Sequence, residues 1–161
     1  MAGMMLVLFS ALGYNPAMEP DELDWKIIEI LRKGNESNNA LARILDISEG
    51  TVRQRIKRLR EAGVLEIRGL INPEILNNQQ LAMIAVSLSE SNLLEKKAEE
   101  LMGLNNVLNV SITSGRYDLF VEVLIDSNRG LVDFLTRELP RVKGITKTES
   151  FLMLKSYHKF V

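Results

Sequence analysis

The sequence contains no cysteine. Disulfide scaffolds, zinc ribbons, thiol catalysis and iron–sulfur sites are therefore excluded. It has a single histidine, His158 near the C-terminus, which excludes a multi-histidine metal site. Neither sign of charge dominates: 20 Lys and Arg face 21 Asp and Glu, for a formal net charge of −1. That balance excludes a generally basic coat protein but leaves room for a local basic patch. Long apolar runs are missing too. The stretch Met4 to Leu12 is too short to span a bilayer as a helix. No Lys or Arg precedes it, so it lacks the positive region of a secretory signal. A second methionine, Met18, stands just before a strongly patterned segment. Residues 1–17 are thus expected to be an overcalled translation start or a loosely held arm, with an apolar partner-binding tail as the alternative. A cytoplasmic protein is expected, in which the sequons Asn35-Glu36-Ser37 and Asn109-Val110-Ser111 are chance matches.

The composition is that of a globular protein, 46% apolar and 25% charged over 161 residues. That length suits one ordinary domain or two small ones. From Pro20 the pattern is helical. Pro20 suits a first turn, Asp21, Glu22 and Asp24 complement the helix dipole, and Gly34 closes the segment. Leu23, Ile27, Ile30 and Leu31 share one face. A second short helix is predicted over Asn38 to Leu45. A third runs from Ser48 to Ala62, with Ser48 as N-cap, Gly63 as the closing residue, and Val52, Ile56 and Leu59 as the buried stripe. Val64 to Ile71 is rich in branched residues and reads as a strand leading out of this bundle. Asn72-Pro73 and Asn77-Asn78 punctuate the chain beyond it, so the domain boundary is placed near residues 72–79.

The second half changes period twice. The predicted order is strand Leu81 to Leu88, helix Leu93 to Met102, strand Val107 to Thr113, strand Leu119 to Ile125, helix Gly130 to Leu139 and strand Thr148 to Lys155. This β-α-β-β-α-β order is the ferredoxin-like arrangement. An internal echo supports it: Leu104-x-x-Val107-x-x-Val110 and Leu139-x-x-Val142-x-x-Ile145 each come after the helix of their half. The segments LAMIAVSL and LFVEVLI are apolar at nearly every position, although helices cover only one sheet face in this fold. A second subunit is expected to cover the other face. The fold class is therefore α+β: residues 18–64 a three-helix, helix-turn-helix unit of the winged type, 65–79 strand and linker, and 80–161 a ferredoxin-like unit.

The segment Thr51 to Arg60 (TVRQRIKRLR) holds five basic residues and no acid. On a helical wheel Gly50, Arg53, Gln54, Lys57 and Arg58 fall opposite the buried stripe, and Arg55 borders it. Arg55 is expected to reach a phosphate or an acidic neighbour. A short helix and a three-residue turn precede this segment, which is the helix-turn-helix arrangement. Cations on the exposed face supply affinity for phosphates. Ser48, Gly50, Thr51, Arg53 and Gln54 lie toward the end that approaches base edges, where Arg or Gln can make bidentate contacts with guanine or adenine. The plainer reading of an isolated basic run is a solvated face. The apolar spacing of Ala42, Ile47, Val52, Ile56 and Leu59 favours double-stranded DNA instead. One departure is Asp46, at the turn position usually held by glycine; Asp tolerates positive φ better than most residues.

With these stretches in hand, Met18 to Val161 resembles the Lrp/AsnC (feast/famine) family of prokaryotic transcription regulators. The matches are Leu23-Asp24, Ile27 and Leu31, then Leu41-Ala42, Leu45, Ile47-Ser48, Thr51-Val52, Arg55-Ile56, Leu59 and Ala62-Gly63-Val64. In the second half they are Ser114-Gly115-x-Tyr117-Asp118-Leu119 and Leu139, Val142, Ile145, Thr148-Glu149-Ser150. The resemblance implies DNA binding, a regulatory ferredoxin-like domain, homodimers that assemble further to tetramers or octamers, and amino acids as effectors bound between dimers. It places the effector at the loop Thr113-Ser114-Gly115-Arg116-Tyr117-Asp118. There Gly115 would let the backbone approach a ligand and Asp118 would pair with an α-ammonium group. Thr148 and Ser150 become rim contacts. The plainer reading of this loop is a Gly-bearing turn with Asp118 capping a local amide.

No catalytic pair emerges. Glu95, Glu99 and Glu100 share a solvated face with Lys96 and Lys97, while Met83, Met102 and Met153 read as core. His158 reads as a surface or interface residue. The expected protein is a sequence-specific DNA-binding regulator and not an enzyme, with no cofactor or metal. The competing reading is an architectural, nucleoid-like protein that wraps DNA with little sequence preference.

Overall fold

The computed structural model describes residues 18–126 and 128–161, so the expectations for residues 1–17 lie outside the described residues. The chain divides into two compact units between Arg68 and Gly69. The first contains α1 (Glu22–Lys33), α2 (Asn38–Leu45) and α3 (Glu49–Glu61). Asp21 caps α1 in a reciprocal box: its carboxylate accepts from the Asp24 amide at 2.9 Å, and the Asp24 carboxylate accepts from the Asp21 amide at 3.0 Å. Ser37 and Ser48 cap α2 and α3 in the same sense. Gly63, at φ 68°, ends α3, with the Val64 and Gly63 amides donating to the Leu59 and Arg60 carbonyls. Asp46 does adopt the left-handed conformation, at φ 52° and ψ 49°. Ile27, Leu41, Ala42, Val52 and Ile56 form the core, with Ile30, Leu31, Leu45, Ile47 and Leu65 packed against it.

The predicted strand at Val64 to Ile71 does not form. Residues 65–72 have no regular structure, and Glu66 to Ile71 are exposed. A strand needs a hydrogen-bonded neighbour, whatever its propensity. Only Ile71 finds one, exchanging both backbone hydrogen bonds with Val161 at 2.9 and 3.0 Å.

The second unit is a four-stranded antiparallel sheet of β1 (Gln80–Leu88), β2 (Val107–Ile112), β3 (Leu119–Ile125) and β4 (Ile145–Leu152) in the order β2-β3-β1-β4. Helices α4 (Leu94–Met102) and α5 (Asn128–Asp133) complete it. Ala82, Ile84, Val86, Leu119, Val121, Val123 and Ile125 face these helices and are fully buried with Leu101, Phe134 and Leu139. Both copies of the internal echo pack against this core. Two predicted boundaries shift. The second helix passes into a π-turn, Phe134–Glu138, and a tight 3-10 turn, Leu139–Arg141. Pro140 lacks the N–H an α-helix needs and its ring crowds the carbonyl four residues back. β4 starts and ends three residues earlier than predicted, because its polar first half pairs at the sheet edge opposite Val86 and Ser87. The sheet's other face carries Met83, Phe120 and Phe151 beside Glu122, whose carboxylate pairs with Lys159 of the C-terminal tail at 2.8 Å.

Candidate nucleic-acid interface

Helix α3 comes after α2 and the three-residue turn Asp46-Ile47-Ser48. Its inner stripe, Val52, Ile56 and Leu59, is buried as predicted. The Ser48 hydroxyl accepts from the Thr51 amide at 3.1 Å and meets the Thr51 hydroxyl at 2.8 Å, so both side chains belong to the cap. A Cβ added at Gly50 would meet only the Ser48 hydroxyl, at 3.7 Å. The protein itself therefore has room for a side chain there, and glycine leaves the first turn open to a close partner. Arg53, Gln54 and Lys57 are exposed. Arg53 reaches back one turn to Glu49 at 2.5 Å, and Lys57 lies 3.7 Å from Glu61.

Arg55 and Arg58 point elsewhere. Arg55 donates to both oxygens of Asp21 at 2.7 Å and to Asp24 at 2.9 Å. Arg58 also bonds Asp24 and stands 4.0 Å from Asp21. Asp24 is 0% exposed and is the one charged residue buried among those described. The Arg55 guanidinium, aided by the Asp24 amide, holds the Asp21 carboxyl down at about 2. The same bonds push Arg55 up from its ordinary value. Of the two partners expected for Arg55, the acidic neighbour is the one it has. Arg58, expected on the DNA face, is drawn to the same carboxylates, because it sits one turn further along the same flank of α3. These two cations lock α3 to the N-terminus of α1 and leave Gly50, Thr51, Arg53, Gln54 and Lys57 as the outward set. Glu49, bonded to Arg53, also belongs to this surface, and Arg43 of α2 is a further exposed cation of the same unit. A basic run reveals neither, since one is acidic and the other lies outside the run.

In the second unit the loop from Thr113 to Asp118 is closed by its own bonds. The Thr113 amide donates to the Asp118 carbonyl at 3.0 Å, and the Thr113 hydroxyl donates to the Tyr117 carbonyl at 2.8 Å. One oxygen of the Asp118 carboxylate accepts from the Leu88 amide at 2.8 Å, so Asp118 caps a backbone amide, but one at the end of β1, 30 residues away, and not a local one. Ser114 and Gly115 are exposed at the tip, where Gly115 has φ +142° with open space around it. Tyr117 is buried, its hydroxyl on the Glu149 carboxylate and its ring flanked by Arg116 and Lys147 at 5.5 and 5.7 Å. The bond to Glu149 raises the Tyr117 pKa. Thr148 and Ser150 are exposed on β4 opposite Val86 and Ile84, on the helix-bearing side. Side chains alternate along a strand, so Glu149 between them is the one that reaches Tyr117. The structure thus brings Thr113, Ser114, Gly115, Tyr117 and Asp118 together and leaves Thr148 and Ser150 on the other face. Alternation along Thr148-Glu149-Ser150 is the signal that singles out Glu149.

Among the described residues no group of three acidic, histidine or cysteine side chains is placed to hold a metal ion, and no helix is long and apolar enough to cross a membrane. Residues 20–66 match the winged helix-turn-helix DNA-binding model, and residues 81–160 match the Lrp/AsnC ligand-binding domain. An HTH-type transcriptional regulator of Pyrococcus furiosus is 37% identical over 83% of this chain and 90% of its own length. The transcriptional regulator FL11 of the same organism is 33% identical over 84% and 89%. The leucine response regulatory protein of Mycobacterium tuberculosis shares the fold, with a TM-score of 0.75 at 22% identity over 87% of this chain and 96% of that one. A transcriptional regulator of Neisseria meningitidis, solved as an L-Met complex, aligns with a TM-score of 0.67 at 23% identity over 88% and 94%. With the two halves matched in order and the relatives covered nearly end to end, the chain belongs to the Lrp/AsnC family of DNA-binding transcription regulators.

Proposed function

We propose that this protein is a cytoplasmic, sequence-specific regulator that reads DNA through the first two turns of α3 and answers to an amino acid. The observation that carries the reading is the sorting of the α3 side chains. Arg55 and Arg58 are engaged by Asp21 and Asp24, while Gly50, Thr51, Arg53 and Gln54 stay together on the open face. A recognition helix reads base edges with its N-terminal residues, and its register must be fixed by the scaffold behind it. Lys57, further along the face, supplies a phosphate contact, as does Arg43 on the preceding helix. The protein acts as a homodimer, whose two recognition helices reach successive major grooves about 34 Å apart on a near-palindromic site. The apolar side chains Met83, Phe120 and Phe151 on the helix-free sheet face support such pairing, and the dimers assemble further to tetramers or octamers. It needs no cofactor and carries no enzymatic activity.

The amino acid fits at the loop tip. The open backbone at Ser114 and Gly115 suits a carboxylate, and the carboxylates of Asp118 and Glu149 nearby suit an ammonium group. A Neisseria regulator of the same fold is described as an L-Met complex, which supports an amino-acid ligand. Gel-shift titration on the gene's own upstream region against scrambled DNA, with and without pooled amino acids, tests both halves. A site-selective shift that moves with one amino acid supports the whole reading. A selective shift indifferent to all of them removes the effector. Equal binding to both DNAs favours the architectural, DNA-wrapping protein.

A further inference from the structure

Every cation of α3 has a carboxylate within 4.0 Å: Arg53 has Glu49, Arg55 has Asp21 and Asp24, Lys57 has Glu61, Arg58 has Asp24 and Arg60 has Glu66. These acids fall into three places. Asp21 and Asp24 sit behind the helix, and Glu61 and Glu66 sit at its far end. Glu49 alone lies in the first turn, at the end that the base-reading assignment points toward DNA. It is half-exposed, and its 2.5 Å bond to the exposed Arg53 draws that guanidinium back along the helix.

A carboxylate at that end repels a polyanion at close range. Within the major groove it meets a compatible group only where an exocyclic amine is offered, and the cytosine N4 amine is the donor that carboxylates accept from. Arg53, one turn on, needs the opposite: the O6 and N7 acceptors of a guanine. On random sequence the pair is better satisfied by itself than by DNA. On a sequence that presents a cytosine amine to Glu49 and a guanine edge to Arg53, both groups exchange their mutual bond for bonds to bases. We infer that Glu49 is a specificity-determining residue of the DNA interface: it restrains Arg53, lowers affinity for non-cognate DNA, and selects a cytosine beside the guanine that Arg53 reads. This rests on the assignment of the first turns of α3 to base contact.

Full-length protein and its Glu49→Gln, Arg53→Ala and double variants are compared on DNA selected from a random library by the wild-type protein. Each is titrated on the selected site, on all its single-base variants and on scrambled DNA over a range of salt. Glu49→Gln keeps the size of the side chain, and circular dichroism confirms the fold of each variant. Glu49→Gln is expected to tighten binding to scrambled DNA about three- to tenfold, steepen its salt dependence, and relax preference at one cytosine position by about tenfold. In the Arg53→Ala background its effect on scrambled DNA should shrink. The inference is overturned if Glu49→Gln changes all sequences by one factor, changes none, or acts identically with and without Arg53. A wild-type selection that enriches no motif, or an Arg53→Ala protein with unaltered base preferences, overturns the underlying base-reading assignment instead.

Discussion

Replacing Asp24 by alanine tests whether the ionic knot behind α3 holds the first unit together. The carboxylate is 0% exposed and takes bonds from Arg55, Arg58 and the Asp21 amide. Breaking a fully buried ion pair by removing one partner costs about 3–5 kcal/mol. Here the side chains of Arg55 and Arg58 are 24% and 51% exposed, so water recovers part of the lost interaction and the low end of that range applies. The Asp21 amide loses its acceptor as well, while the Asp21 carboxylate still caps the helix, so the lost bond adds about 0.5–1 kcal/mol. The sum is about 3.5–4 kcal/mol, large against the stability of a unit this small. Trp25, the only tryptophan, sits next to Asp24 and is 53% exposed, so its fluorescence reports on this unit. Urea unfolding followed at Trp25 should show a midpoint about 3–4 M lower, given a slope of about 1 kcal/mol per M for a unit of this size. Asp24→Asn, which keeps the shape and an acceptor but not the charge, should fall between wild type and alanine. A loss below about 1 kcal/mol for alanine would mean that the cluster behaves as an ordinary solvent-screened surface pair, and the positioning role assigned to Arg55 and Arg58 would fall with it.

The Asp21 carboxyl, held at about 2 against an unfolded value of about 3.9, supplies stability that is present above pH 4 and is lost as the pH falls from about 4 through 2. Thermal melts followed at Trp25 should decline over that window, and Asp21→Asn should flatten the decline; an unchanged profile would count against the Arg55 bond. Asp46→Gly removes a β-carbon from a left-handed residue and should raise stability by up to about 1 kcal/mol, read as a higher urea midpoint, unless the Asp side chain supports the turn. Arg53→Ala or Gln54→Ala should reduce the preference for a cognate site over scrambled DNA by about 1–3 kcal/mol. Lys57→Ala should instead weaken all DNA equally and lower the salt slope by about one. Equal losses of specificity from all three, measured by gel shift, would sink this division of roles.

The parts that sequence could reveal are those that local physics decides within a single chain. The caps at Ser48 and Gly63, the left-handed Asp46 and the buried stripe Val52, Ile56 and Leu59 all depend on neighbours a few residues away, and all stand where periodicity and turn chemistry place them. The failures share a cause of the opposite kind. Val64 to Ile71 has the branched residues of a strand, but a strand is defined by what lies beside it, and propensity cannot supply a neighbour. Arg58 falls on the outward side of the helical wheel, and a wheel does not show that Asp24, 34 residues earlier, waits on that flank. The pairing of Tyr117 with Glu149 spans 32 residues and two strands and depends on register, which the shift at Ser87 and Leu88 makes harder to count. A basic run marks the helix on which cations gather, yet it cannot separate cations left outward from cations that hold the scaffold. That distinction lies in the acidic residues. The charges of α3 can be sorted only once Asp21, Asp24 and Glu49 are placed among them, because each carboxylate decides which guanidinium is held to the scaffold and which stays outward.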